Sequence, residues 1–385
     1  TLNTLTCSQL ISNTDDGVRI GDGASRNQIG VMGDGLANLV GLNGGDGIEI
    51  AAGASLNEVA GNAIGINLAG TSAVGNADYG VRIHGGAVTN TVGAVSSSHS
   101  NLISGNPRGG ILIAGPTTIG NVVQNNWLGP DGTGTGSLGF QEYGVVIMAA
   151  RGNTVGAANL ISGHLKDGVH IAGTQAAGNV VRGNHIGTTA TGDDRLTNRR
   201  VGVMIQDGAH HNRIGSAIES NVISGNGYTG EYGVFGGVGI LNASDNTLCN
   251  NMIGMSGSGT YTVPNAGSGV WLSGTSKDND IGIKTQIDCE NVIAWNEGCG
   301  VCVEGDNCVQ NTVGLSSIHD NLRLGIDTYD GGNLELAPPV VTSYQVTGSQ
   351  VDLEAEACPG CAIHVYSDDE GEGEFHEGTG TADPA

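Results

Sequence analysis

Positive charge, aromatic rings, proline and long apolar runs are all scarce in this chain. Lys and Arg number 14 against 38 Asp and Glu, a formal net charge of −24 over 385 residues. That balance argues against nucleic acid and against anionic membrane surfaces, since both recruit clustered cations. No apolar stretch approaches the length of a membrane-spanning helix. Aromatic residues are only 4% of the chain, which leaves few rings for stacking against sugars. Proline is rare (8 residues) beside 69 Gly, and without a G-x-y period the glycine does not mean collagen. The first residues hold no basic region followed by an apolar core, so no signal peptide is expected within them.

What is abundant is a pattern. Asn159 to Gly187 reads NLISGHLKDGVHIAGTQAAGNVVRGNHIG, in which short apolar pieces are separated by Gly and Asn. In GVHI, Val169 and Ile171 alternate with His170, the period of a half-buried strand. Gly and Asn between such strands tolerate left-handed turns. The Gly that opens this strand recurs at positions 17, 47, 80, 110, 144, 168, 202, 237, 269, 300 and 325, at spacings of 24 to 35 residues. Periods of that size mark solenoids.

Two kinds of repeat alternate. One reads N-x-(I/V)-G, as in Asn27 to Gly30, Asn90 to Gly93, Asn153 to Gly156 and Asn212 to Gly215. The other carries a second Asn: Asn57 with Asn62, Asn121 with Asn126, Asn179 with Asn184, Asn246 with Asn251. The expected fold is all-β: a parallel solenoid of about three strands per coil and about ten coils, Val and Ile inside and Asn ladders at the turns. A sandwich of scattered strands does not account for a fixed offset between repeats.

The units GVRI, NQIG, NLISGN, GNVVRGNHIG and DGVHI resemble the right-handed parallel β-helix repeats of large bacterial surface and secreted proteins. The resemblance covers most of residues 10–330. It implies a scaffold and no single activity. Residues 1–336 are accordingly read as the β-helix and residues 337–385 as a second unit. There Ala337-Pro338-Pro339 signals a linker, and VVTSYQV, QVDLEAEA and AIHVYSDD alternate as antiparallel strands. This end resembles the start of an immunoglobulin-like module, carried by CPGC and YSDDEGEGEFHEGTGTAD, and is too short for the whole sandwich. Both ends read as cut from something longer. An incomplete sandwich invites strand addition, and the extended TLNTLTCSQL is the candidate donor for head-to-tail self-association.

Six of eight cysteines lie after residue 288. Cys289, Cys299, Cys302, Cys308, Cys358 and Cys361 are the disulfide candidates, stapling the far end of the rod in an oxidising, extracellular or cell-surface setting. The alternative for Cys299-x-x-Cys302 is a zinc or redox pair. Calcium is weakly signalled, by Gly44-Gly45-Asp46-Gly47 and by Asp368-Asp369-Glu370 with Glu372 and Glu374.

No catalytic constellation stands out. Asn13-Thr14-Asp15-Asp16 imitates one piece of a polygalacturonase-like site, but Asp-Asp-Cys, Gly-His-Gly and Arg-Ile-Lys are missing. For a pectate-lyase-like site, Arg108 stands alone and Lys166-Asp167 and Lys277-Asp278 are isolated pairs. The outward position of successive G-V-x-I strands reads Arg19, Glu49, Arg82, Leu112, Val146, His170, Met204, Gly239, Trp271, Cys302 and Asp327, with well-separated carboxylates and an apolar centre. His164, His170 and the His210-His211 pair read as surface histidines. Trp127, Trp271 and Trp295 lie on different coil segments, a weak signal for glycan binding. Residues 130–143, 188–200 and 255–268 read as loops gathered on one face, the usual binding face of a solenoid. The reading is therefore an extracellular structural or adhesive rod, with a carbohydrate-active β-helix enzyme or glycan binder as the alternative.

Overall fold

A computed structural model describes residues 3–6, 8–30, 38–94, 100–228, 236–282, 287–335, 339–348, 350–357, 362–367 and 375–383. Three parallel sheets of eleven strands each account for most of them. Sheet 1 runs from Thr4–Leu5 to Thr312–Val313, sheet 2 from Gln9–Ile11 to Ser316–His319, and sheet 3 from Val18–Ile20 to Ile326–Tyr329. Each coil contributes one strand to each sheet, so the described residues form eleven coils. At about 4.8 Å per coil the stack is roughly 50 Å long.

The interior is a set of columns. Ile29, Val59, Val92 and Val123 stack in sheet 1, Ile64, Ile103 and Leu128 in sheet 2, and Ile50, Ile83, Ile113 and Ile147 in sheet 3, all within one buried core. The strand-opening glycines are explained by crowding. A Cβ on Gly168 would stand 2.7 Å from the carbonyl oxygen of Gly202 and 2.7 Å from Cγ2 of Ile186. No larger residue fits between adjacent coils there.

Asn side chains form three axial ladders. The first links Asn27, Asn57, Asn90, Asn121 and Asn153 through Nδ2–H donated to the next Oδ1 at 2.8 to 3.1 Å, and continues to Asn311. The second runs from Asn38 to Asn291. Each amide also satisfies backbone groups of neighbouring coils, so buried turns carry few unmet donors. The two repeat kinds differ only in where the long connection falls. Repeats with two Asn close together pass quickly from sheet 1 to sheet 2 and then throw a long loop before sheet 3.

Among the described residues there are four such loops, on alternate coils: the three expected ones and a fourth around residues 66–73, which the sequence pattern hides. They bond to one another, with Gly132 N–H donating to Gly70 O at 2.7 Å and Ala190 N–H to Gly134 O at 2.9 Å. They fold over the outer side of sheet 2, against Leu102, Trp127 and His185. They gather on one face, as expected, over sheet 2, and leave sheet 3 to present side chains outward.

After the solenoid, Val340–Thr347 pairs antiparallel with Gln350–Glu356, and Ala362–Ser367 with Phe375–Thr381, as two separate two-stranded sheets. The N-terminal segment is not a free donor. Thr4–Leu5 and Gln9–Ile11 already pair with Gln28–Ile29 and Leu39–Gly41 as the first coil.

Among the described residues two disulfides are present, Cys249–Cys289 and Cys299–Cys302. Cys249, absent from the candidate set, joins successive coils. Cys308 is not bridged. Three residues before each Asn of the first ladder the chain places a small inward residue (Ala54, Ala87, Thr118, Ala150, Ala176, Ala209, Ala243, Ser276), and Cys308 fills that slot. Burial pushes its thiol up to about 11. Cys7, Cys358 and Cys361, the linker residues Ala337-Pro338 and the acidic run 368–374 lie outside the described residues.

Candidate functional site on the outer face of sheet 3

The expected outward column is in register throughout. Arg19 pairs with Glu49, Glu49 with Arg82, Val146 with His170, His170 with Met204, and Trp271 with Cys302. Two further columns flank the strand-opening Gly. The residue just before it is Asp16, Asp46, Tyr79, Gly109, Tyr143, Asp167 or Val201 in successive coils, and the one before that includes Asp78, Arg108, Glu142, Lys166 and Arg200.

In the first coils this aspartate has a structural task. Asp16 Oδ1 accepts the backbone N–H of Asp46 at 2.7 Å, and Asp46 Oδ1 accepts that of Tyr79 at 2.9 Å. Asp167 occupies the same position and is fully buried, but side chains engage its carboxylate. Arg200, one coil on, donates Nε–H to Oδ1 at 2.7 Å and Nη2–H to Oδ2 at 2.6 Å. His170 Nδ1 lies 2.8 Å from Oδ2. A carboxylate accepts there, so Nδ1 carries the proton and Nε2 is left as the basic nitrogen. Among the described residues Nε2 has no hydrogen-bond partner.

Tyr143, one coil earlier, sets its ring 5.3 Å from the imidazole at 56°. Lys166 Nζ stands 5.0 Å from the centre of the Tyr143 ring and 2.9 Å from Glu142 Oε2. The hydrogen bond to Glu142 raises the Lys166 pKa. Burial opposes charge on Arg200, but Asp167 outweighs it and the net shift is upward. Both remain cations. Val146 and Met204, in register on either side of His170, form apolar walls along the axis.

The third Asn ladder breaks at this same turn. It runs Asn13, Asn43, Asn76, Asn106, and resumes at Asn198 through Asn321. Between them stand Gln141 and His164. His164 Nδ1 lies 2.7 Å from Asn198 Oδ1 and Nε2 lies 3.1 Å from Gln141 Nε2, while Gln141 Oε1 has no partner. Complete burial lowers the His164 pKa to about 4. The third ladder thus departs from its own rule beside a His–Asp–Arg–Tyr–Lys cluster. The reading of His164 and His170 as surface histidines is corrected, because both are buried.

A second charged cluster sits on the same face nearer the N-terminus. Glu49 lies 2.8 Å from His84 Nε2 and 3.1 Å from Arg19 Nε, and Asp46 lies 3.6 Å from Arg82. These groups pair with one another. Among the described residues no group of three His, Cys, Asp or Glu side chains could hold a metal ion. Trp127 is under the loops, Trp295 meets His319 edge-on at 5.7 Å, and Trp271 is on the outer face of sheet 3. Cys299 and Cys302 occupy the same two positions of their coil as Asp167 and His170 of theirs.

The outward column of the sequence points to His170 but not to the cluster, whose other members stand in the two columns before the strand-opening Gly. Reading the two preceding columns beside it brings Tyr143, Lys166, Asp167 and Arg200 to His170 from three consecutive coils.

The fold and this face define a parallel β-helix protein. No family model matches the sequence, and no curated relative matches it. Among solved structures the chain is similar to the A-module of a mannuronan C-5 epimerase from Azotobacter vinelandii, with a TM-score of 0.54 and 12% identity over 84% of this chain and 79% of that one. A surface adhesin of Streptococcus pneumoniae also aligns, at a TM-score of 0.33 and 10% identity over 90% of this chain and 80% of the other. At 12% identity the likeness to the epimerase module is one of fold. No helix among the described residues is long and apolar enough to cross a membrane.

Proposed function

We propose that this is an extracellular β-helix protein that acts on an acidic polysaccharide laid across sheet 3, beginning with removal of a proton from the sugar carbon beside a carboxylate. The observation that carries this reading is His170: its Nδ1 is committed to buried Asp167, its Nε2 has no hydrogen-bond partner among the described residues, and a tyrosine ring stands 5.3 Å away. Nε2 takes the proton. Lys166, with exposed Arg199 on the next coil, lowers the cost of negative charge developing on the sugar carboxylate. The Tyr143 hydroxyl then supplies a proton, either to the opposite face of the same carbon or to the departing glycosidic oxygen. Asp167 and Arg200 are positioning residues. The fold-level likeness to a mannuronan epimerase supports the substrate class, and the two disulfides support an oxidising compartment.

The test is incubation with polymannuronate, polyguluronate and polygalacturonate. Ultraviolet absorbance reports unsaturated uronate ends and proton NMR reports epimerised residues. Product with the parent and none with His170→Ala is expected. No product of either kind from any of the three sinks the reading.

A structural or adhesive rod is the second reading, favoured by the hairpin 340–356. Val341, Tyr344, Val346, Val351 and Leu353 are all exposed on a two-stranded sheet. On this reading residues 337–385 form a separate module that associates with a second copy. Mass in solution tests it: a monomer at all concentrations rules it out.

A further inference from the structure

Toward its C-terminal end the outer face of sheet 3 changes character. Trp271, Cys302 and Asp327 follow one another in the outward column, and two residues along, Glu304 pairs in register with Tyr329. Trp271 donates its indole N–H to Glu304 Oε2 at 2.9 Å. Tyr329 stands in register beside Glu304, and burial, then the charge of Glu304, raises its pKa. All three side chains, and Asp327 beside them, are half-buried. The core beneath is complete without these rings, since Val270, Leu272, Val301 and Val303 fill it. In a chain with 4% aromatics, a tryptophan bonded to a carboxylate with a tyrosine in register beside it on the outer face is not core packing.

We propose that Trp271, Tyr329 and Glu304 form a binding subsite for a neutral pyranose ring of a glycan, separate from His170. The rings offer a flat apolar surface to the C–H face of a sugar, and Glu304 and Asp327 accept bonds from its hydroxyls. The same two carboxylates repel a uronate, which sets this subsite apart from the cationic edge at Lys166 and Arg199. Trp271 lies three coils from His170 along the column, about 14 Å at the spacing of stacked strands.

The test follows the Trp271 indole N–H resonance in the full chain during titration with cellohexaose, mannohexaose and xylohexaose, with hexamannuronate as the charged control. Movement with at least one neutral hexaose and none with hexamannuronate is expected. Read by calorimetry of the same titrations, Trp271→Ala and Glu304→Gln should each weaken that binding by about tenfold or more, and His170→Ala should leave it unchanged, so the subsite stands or falls apart from the His170 reading. Glu304→Gln keeps the shape of the side chain and guards against simple misfolding of Trp271→Ala. A resonance unmoved by all three neutral hexaoses, an equal response to hexamannuronate, or undiminished binding in Glu304→Gln overturns the proposal.

Discussion

His164 offers a prediction whose size follows from its surroundings. It stands in a ladder of asparagines, fully buried, with Nδ1–H donated to Asn198 and Nε2 accepting from Gln141. Protonating Nε2 places a second donor against the Gln141 amide and a charge in a dry turn, which is why burial lowers its pKa to about 4. In the unfolded chain the imidazole takes up its proton near pH 6.5. Between those values the unfolded state binds the extra proton and the folded state does not. Stability from this residue is therefore full above about pH 6.5 and is lost as pH falls toward 4, by about 3 kcal/mol in all. His164→Asn restores the ladder amide and removes the titration. Urea unfolding at pH 7 and at pH 4, parent beside variant, should show the variant losing about 3 kcal/mol less on acidification. NMR of labelled histidine should show one imidazole with a midpoint near 4 that the variant lacks. An equal acid loss in both proteins, or a His164 midpoint near the ordinary value, refutes the reasoning.

Asp46 gives the opposite sign: burial raises its pKa to about 6, so the stability of its folded form falls as pH rises from about 4 to 6. Asp46→Asn keeps the acceptor for the Tyr79 N–H, and thermal melts should find it more stable than the parent by about 1 kcal/mol at pH 7.5 and equal at pH 3.5. Asn153→Ala leaves the buried amides of Asn121 and Asn179 and the carbonyl of Thr118 short of partners, for an expected loss of about 2–4 kcal/mol in chemical unfolding. Gly168→Ala forces a methyl against the Gly202 carbonyl, with an expected loss of about 1–3 kcal/mol in the same assay.

The fold was legible because it is written many times over. Gly168 cannot bear a side chain for the same reason that Gly202 and Gly237 cannot, and each Asn of a ladder answers the Asn one coil away. Repetition averages out the ambiguity of any single short strand. The loop around residues 66–73 escaped because its sequence, NLAGTSAVGN, has the same Gly, Asn and small residues as the coils themselves. The site was hard to see for the converse reason. Asp167 looks like Asp16 and Asp46, which cap turns, and only Arg200, 33 residues on, reveals a different partner. Cys308 shows the same limit: a cysteine that reads as a staple is a small residue in an alanine slot.

Deuterium exchange at C5 of polymannuronate in heavy water, followed by NMR, tests the central claim most directly. It reports proton removal whether the sugar is then inverted, cleaved or restored. The account predicts exchange by the parent protein and a loss of about 100-fold or more in His170→Gln, whose fold, checked by circular dichroism, is intact. Exchange that persists in His170→Gln, or none from the parent on any polyuronate, would contradict it.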